Sequence, residues 1–280
     1  MATRAWSVSS AADVLAYLRS RFPARLAGPL AVFLGTAGLA TGPHPSPAGV
    51  LLTTALAGSL VLQFRLWDDL ADLPQDRRRH PDRILSRART TRPFRRLLAA
   101  TVALNVGLLA VRPGAGPRLV ALGFLGAALG VWYGRPRKIW PHPVLAYHVV
   151  LAKYPVFVYL LSAPGGPVRR LVVAMALVYL CVGVYEALHD PALARAPAVP
   201  GVLILEMAGL VAVSALAAAG VGGRGLPAVL ITGAGLAAGA GALAGLYARN
   251  RSGGEPGPWG YAVFVLGFGA LLTLSLEASP

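Results

Sequence analysis

Apolar runs of about 20 residues, each long enough to cross roughly 30 Å of hydrocarbon as a helix, recur along this chain between clusters of Arg, Pro and Gly. Nine can be counted, at about 24–42, 47–66, 95–112, 117–134, 143–163, 168–188, 200–220, 226–247 and 258–277. They take up roughly 180 of the 280 positions, which leaves no room for a separate soluble domain. The expected fold is therefore all-α: one polytopic bundle of nine transmembrane helices over residues 1–280. Composition agrees, since only 13% of residues are charged and the mean hydropathy is +0.61, whereas a soluble domain carries roughly 25% charged residues.

The charge is lopsided, with 26 Lys+Arg against 11 Asp+Glu and a net +15. Such an excess suits nucleic acid or an anionic membrane surface. In so apolar a chain, without Arg interleaved with aromatics on a soluble module, orientation in a bilayer explains it and nucleic acid is excluded. With a cytoplasmic N-terminus, 19 basic residues fall on the cytoplasmic side, nine of them arginines from Arg77 to Arg96, and 5 on the other. The positive-inside rule then places the N-terminus and the 67–94 connection in the cytoplasm and the C-terminus outside. Arg65 and Lys153 fall inside predicted helices and are functional candidates for that reason. The sole cysteine, Cys181, cannot form an intrachain disulfide, and the charged first 22 residues read as no signal peptide. Within 1–22, Ala11, Ala12, Val14, Leu15, Tyr17 and Leu18 follow Ser9 and Ser10 in a pattern that predicts a short interfacial helix.

Carboxylates are scarce, and seven of the 11 lie in two segments. The first follows the second apolar run: Asp68, Asp69, Asp72, Asp76 and Asp82. On a helix, residues four apart advance only about 40°, so Asp68, Asp72 and Asp76 share a side, with Asp69 about 100° from Asp68. Four carboxylates on one face repel one another, and at a membrane boundary they are costly without cations. A solvated helix end pairing with the Arg run that follows would answer the problem. So would a divalent metal, and oxygen-only ligands favour Mg²⁺, which usually shares its coordination with substrate phosphates. The second segment, within the 186–199 loop region, holds Glu186 and Asp190, again four apart, with Pro191 expected to end the helix. By the topology above both segments are cytoplasmic, as two walls of one metal site would be. Basic residues for a diphosphate are at hand in Arg77 and Arg83, and in Arg135, Arg137 and Lys138 after Tyr133.

These residues resemble the UbiA superfamily of intramembrane prenyltransferases. That family has nine transmembrane helices and two aspartate-rich motifs, N-D-x-x-D-x-x-x-D after the second helix and D-x-x-x-D after the sixth. Asp68-Asp69-x-x-Asp72-x-x-x-Asp76 is similar to the first, with Asp for the leading Asn, and Glu186-x-x-x-Asp190 is similar to the second, with Glu leading. Tyr133 with Lys138 resembles the family's tyrosine and basic pair, and Arg21-Phe22-Pro23 its Arg-x-Pro approach to the first helix. Pro74 departs from the motif, removes a backbone N–H and predicts that the helix breaks before Asp76.

The resemblance implies an isoprenyl diphosphate as substrate and Mg²⁺ held by Asp68, Asp69, Asp72, Asp76, Glu186 and Asp190. Asp69, Asp72, Glu186, Asp190, Tyr133 and Lys138 would carry the chemistry, and Arg21, Arg77, Arg83, Arg135, Lys138 and Lys153 the diphosphate. The resulting carbocation can be captured by a lipophilic or aromatic acceptor, which is prenyl transfer, or by the chain's own double bonds, which is terpene cyclisation. Tyr147, Tyr154, Phe157 and Tyr159 in the fifth run are packing residues that could also stabilise a cation. A small transporter is the non-enzymatic alternative; no internal repeat supports it, and the charges gather at one face of the membrane.

Overall fold

The computed structural model describes residues 10–43, 46–134, 136–139, 142–190, 193, 196–219, 264 and 267–271. The eighth run, most of the ninth, and Arg135 lie outside these residues, as does the side chain of Lys138. The described elements are all helices. Six are long and apolar enough to cross a membrane: Pro47–Arg79, Arg92–Ala110, Ala115–Gly134, Val144–Leu161, Val168–His189 and Val199–Ala217, with a shorter apolar helix at Ala27–Leu39. The chain is thus an all-helical, multi-pass membrane protein, and six of the nine expected spans have a membrane-length helix among the described residues. It forms two compact units, residues 1–32 with 55–112 and residues 33–54 with 113–280.

In the first unit, helix α1 (Ser10–Arg21) opens with Asp13 in its first turn and ends with Arg19 and Arg21 in its last, matching the helix dipole at both ends. Phe22-Pro23 stops it. Val14, Tyr17 and Leu18, at helical i, i+3, i+4 spacing, pack on Leu66, Leu73, Leu85 and Phe94. Tyr17 meets Phe94 edge-on at 5.5 Å. Leu15, expected on the same face, is exposed. The α2 helix (Ala24–Leu39) runs from the first unit into the second.

Helix α3 (Pro47–Arg79) starts on Ser46, whose Oγ accepts the Gly49 N–H at 3.1 Å, with Pro47 in the first helical position. Its 33 residues span about 50 Å, well beyond the hydrocarbon thickness. It does not break before Asp76: the helix continues through Pro74 to Arg79, and the His80 N–H still reaches the Asp76 carbonyl at 2.7 Å. Pro74 forfeits one bond to the Leu70 carbonyl. Leu66 and Leu73 are anchored in the α1 cluster, and Arg77, Arg78 and Arg79 favour the helix end, so continuing costs less than turning. After the short α4 (Ile84–Arg87), helix α5 (Arg92–Ala110) buries Phe94, Thr101, Asn105 and Leu109 along one stripe. Asn105 Nδ2 donates to Gln63 Oε1 of α3 at 2.7 Å, a polar tie between two apolar helices.

In the second unit, α6 (Ala115–Gly134) buries Arg118, Leu122, Leu125, Leu129 and Trp132 on one face. Arg118 donates to the Ser162 carbonyl at 2.7 Å and to the Pro113 carbonyl. A turn, α7 (Pro136–Ile139), follows. The fifth apolar run, expected as one helix, is interrupted at Ala152 into α8 (Pro143–Leu151) and α9 (Lys153–Leu161), which together make up the membrane-length segment Val144–Leu161. Pro155 explains the interruption, because it cannot donate to the Leu151 carbonyl and is at home in the first turn of a new helix. The end of α2 approaches α9 through small residues: Gly38 lies against Leu161 and Gly42 against Ala163, where any side chain would collide. Helix α10 (Val168–His189) is largely buried from Val173 onward, with Val168 and Val172 exposed near its start, and packs on α8, α9 and α11 (Val199–Ala219). α10 and α11 run antiparallel, with Arg169 donating to the Leu216 carbonyl at 2.5 Å, Gly209 against Leu180 and Gly183 against Glu206.

Candidate functional site

The extension of α3 beyond membrane length carries Asp68, Asp69, Asp72 and Asp76, and the first unit supplies cations to two of them. Asp69 is only 7% exposed. Arg21, at the end of α1, holds it as a fork, Nη2 to Oδ1 at 2.6 Å and Nε to Oδ2 at 3.0 Å. The Tyr17 hydroxyl donates to Oδ2 at 2.8 Å, and Arg65, one turn earlier on α3, lies 3.8 Å from Oδ1. Burial, and then the adjacent Asp69 charge, push ionisation of the Tyr17 phenol far above its ordinary range, so it stays a neutral donor. Asp76 pairs with Arg83 at 2.7 Å. Tyr17, Arg21, Asp69, Asp76 and Arg83, floored by Ile84 and Leu85, line one small cleft. Asp68 and Asp72 are half-buried on the same helix, while Arg77 is exposed beyond them.

The charge problem posed by clustered carboxylates is therefore met, at Asp69 and Asp76, by arginine. That bears directly on a metal. Among the described residues no group of three or more acidic, His or Cys side chains is gathered closely enough to hold one. The donor set is still oxygen-only, which suits a hard cation. A free cation would have to displace Arg21 from Asp69, stranding a guanidinium in a partly buried site. A cation arriving with a diphosphate offers Arg21 and Arg83 new anionic partners as it takes their old ones. The residues fit a cation and a diphosphate together far better than a cation alone.

The second acidic segment belongs to the second unit. α10 ends at His189, with Asp190 extended before Pro191 as expected, its N–H reaching the Glu186 carbonyl at 2.9 Å. Glu186 and Asp190 are half-buried. Tyr185 stacks on His189 at 3.9 Å. Tyr133, at the end of α6, has the Arg137 guanidinium 5.6 Å over its ring. Lys153 is buried at the start of α9, with Nζ 5.6 Å from the Tyr154 ring centroid. Among the fifth-run aromatics, Tyr154 packs edge-on against Phe157, whereas Tyr147, on the far side of the Ala152 interruption, pairs with another residue. That residue is Glu206 of α11, a buried carboxylate whose Oε1 accepts from the Tyr147 hydroxyl at 3.2 Å. In the sequence Glu206 carries the same signal as Arg65 and Lys153, a charged residue inside an apolar run, here 200–220.

Compared with known protein families, curated proteins and solved structures, the chain matches none of them.

Proposed function

We propose that the chain is an intramembrane prenyltransferase that ionises an isoprenyl diphosphate with Mg²⁺ and passes the prenyl group to a lipophilic acceptor. The observation that carries this reading is the alternation of carboxylate and guanidinium around one cleft at the end of a membrane-length helix: Asp69 with Arg21, Asp76 with Arg83, and the Tyr17 hydroxyl beside them. A metal-bridged diphosphate needs both signs of charge within reach, acidic oxygens for the cation and guanidinium forks for the phosphates.

In this mechanism Asp68, Asp69, Asp72 and Asp76 would hold the cation, and Mg²⁺ there would supply the positive charge that neutralises the leaving group. Arg21 and Arg83 would turn from their carboxylates to the phosphate oxygens, with Arg77 adding positive charge, and Tyr17, a neutral phenol, would donate to whichever oxygen takes the place of Asp69. For Glu186 and Asp190 the metal role, and for Tyr133, Arg135, Lys138 and Lys153 the diphosphate role, are those that the family resemblance implies. The apolar helices keep water from the allylic cation until the acceptor captures it. The N-terminus and both acidic segments lie in the cytoplasm in this proposal, where a soluble diphosphate head is available.

The test is diphosphate release from geranylgeranyl diphosphate by purified protein with Mg²⁺. Release should fall by about 100-fold in an Asp69→Asn/Asp72→Asn variant that still unfolds cooperatively, assayed below its lowered thermal transition. Undiminished release would sink the proposal. Cyclic products formed without any acceptor would assign the same site to terpene cyclisation instead.

A further inference from the structure

Glu206 lies seven residues into α11 and is 5% exposed, on a helix long and apolar enough to span a membrane. One carboxylate oxygen is satisfied: Oε1 accepts from the Tyr147 hydroxyl at 3.2 Å and lies 3.9 Å from His148 Nε2. The other, Oε2, is buried with no hydrogen-bond partner. His148 is held from behind, its Nδ1 sharing a hydrogen bond with the Tyr179 hydroxyl at 2.8 Å, and its ring stacks on Tyr147 at 4.2 Å. Three helices thus converge on one carboxyl group: α8 through Tyr147 and His148, α10 through Tyr179, and α11 itself. At the point of contact α10 carries Gly183, where even a β-carbon would run into the Glu206 carboxyl. The backbone has been cleared to admit the group, yet one of its oxygens is left wanting a donor.

The position of that oxygen on α10 gives it a chemical context. Tyr179, Gly183, Glu186 and Asp190 are spaced by four, three and four, so they lie along one face of α10. Glu186 is three residues from Gly183, a rise of about 4.5 Å. The orphaned oxygen is therefore about one helical turn along the same face from Glu186.

A buried acceptor without a donor is expensive, and a site built to bond a hydroxyl rejects analogues that lack one. We infer that Glu206, Tyr147, His148 and Tyr179 form a binding site for the hydroxyl of a lipophilic alcohol or phenol. The inference does not rest on the transferase reading. The O–H of the bound molecule donates to Glu206 Oε2. Tyr147 and His148 position the carboxylate, and Tyr179 orients His148.

The test uses the full chain in lipid nanodiscs, without Mg²⁺ or diphosphate, and three probes: 4-pentylphenol, its methyl ether and 4-pentylbenzylamine. Binding is read from intrinsic tryptophan fluorescence. The wild type should prefer the phenol to the ether by about tenfold or more. Glu206→Gln and Glu206→Leu should each cut that preference to below about threefold. The leucine variant removes a buried carboxyl from an apolar helix, so it should fold at least as well as the wild type. Equal binding of phenol and ether by the wild type, or an unchanged preference in both variants, would overturn the site. A tenfold preference for the benzylamine over the phenol would overturn the ligand class in favour of an ammonium. Because no diphosphate is present, a hydroxyl preference alongside an inactive diphosphate assay would leave this site standing and defeat the transferase reading. Turnover without the preference would do the reverse.

Discussion

Replacing Arg21 with Met takes away the fork that holds Asp69 and leaves the carboxylate with the Tyr17 hydroxyl at 2.8 Å and Arg65 at 3.8 Å. Breaking one side of a fully buried ion pair costs about 3–5 kcal/mol. The Asp69 side chain is 9% exposed but that of Arg21 is 24% exposed, so solvent reaches one partner and two others stay behind. Both corrections bring the expected loss for Arg21→Met to about 2 kcal/mol. Asp69→Asn should cost a similar amount, because it leaves Arg21 without its counter-charge. The double variant should lose less than the sum of the two, with a coupling of about 1.5–2 kcal/mol, since neither charge is then stranded. The assay is chemical unfolding of purified protein in detergent, followed by tryptophan fluorescence, for the wild type, the two single variants and the double. Additivity to within about 0.5 kcal/mol would refute the reasoning, because it would mean that Arg21 and Asp69 do not rely on each other.

Three further outcomes follow from the same geometry. Isothermal titration should show that pyrophosphate raises the apparent Mg²⁺ affinity at least about tenfold, and Mg²⁺ that of pyrophosphate beyond their pairing in solution, since each alone strands an arginine or an aspartate. Gln63→Leu should destabilise the fold by about 0.6–1.7 kcal/mol by leaving Asn105 without its acceptor, and the Gln63→Leu/Asn105→Leu double variant should recover most of that in the same unfolding assay. Pro74→Ala should restore a backbone bond to Leu70 and leave stability unchanged or raised by up to about 1 kcal/mol; a loss would mean that the proline bend itself positions Asp76.

The apolar runs were legible because membrane length and hydropathy need no knowledge of neighbours. The helices at 92–110, 115–134, 168–189 and 199–219 follow runs visible in the chain. Two of the differences between sequence and structure turn on proline, whose effect depends on what holds the helix on either side of it. Pro74 was expected to break a helix that continues, because Leu66 and Leu73 hold α3 in the α1 cluster on the near side and the Arg run favours its end on the far side. Pro155 lies in a run that does divide at Ala152, even though α10 packs on both halves, because it removes the bond to the Leu151 carbonyl. The clustering of the aspartates was equally plain, but not their partners. Arg21 is 48 residues from Asp69, and Tyr17 is 52. Glu206 was legible as a buried charge in an apolar run, though Tyr147, 59 residues away, was not predictable as its partner.

By itself, then, the amino-acid sequence determined that this chain is a multi-pass helical membrane protein and that its few carboxylates are concentrated in two segments. Those are consequences of solvation: a backbone in hydrocarbon must satisfy itself within a helix, and charge is tolerated only where something answers it. Only the tertiary structure decided what answers it. The arginine at the end of α1 meets the aspartate on α3, and glycine on α10 clears room for the glutamate on α11, leaving one of its oxygens without a donor. Such pairings depend on distances of a few ångströms between segments tens of residues apart, and periodicity along a single chain carries no information about them.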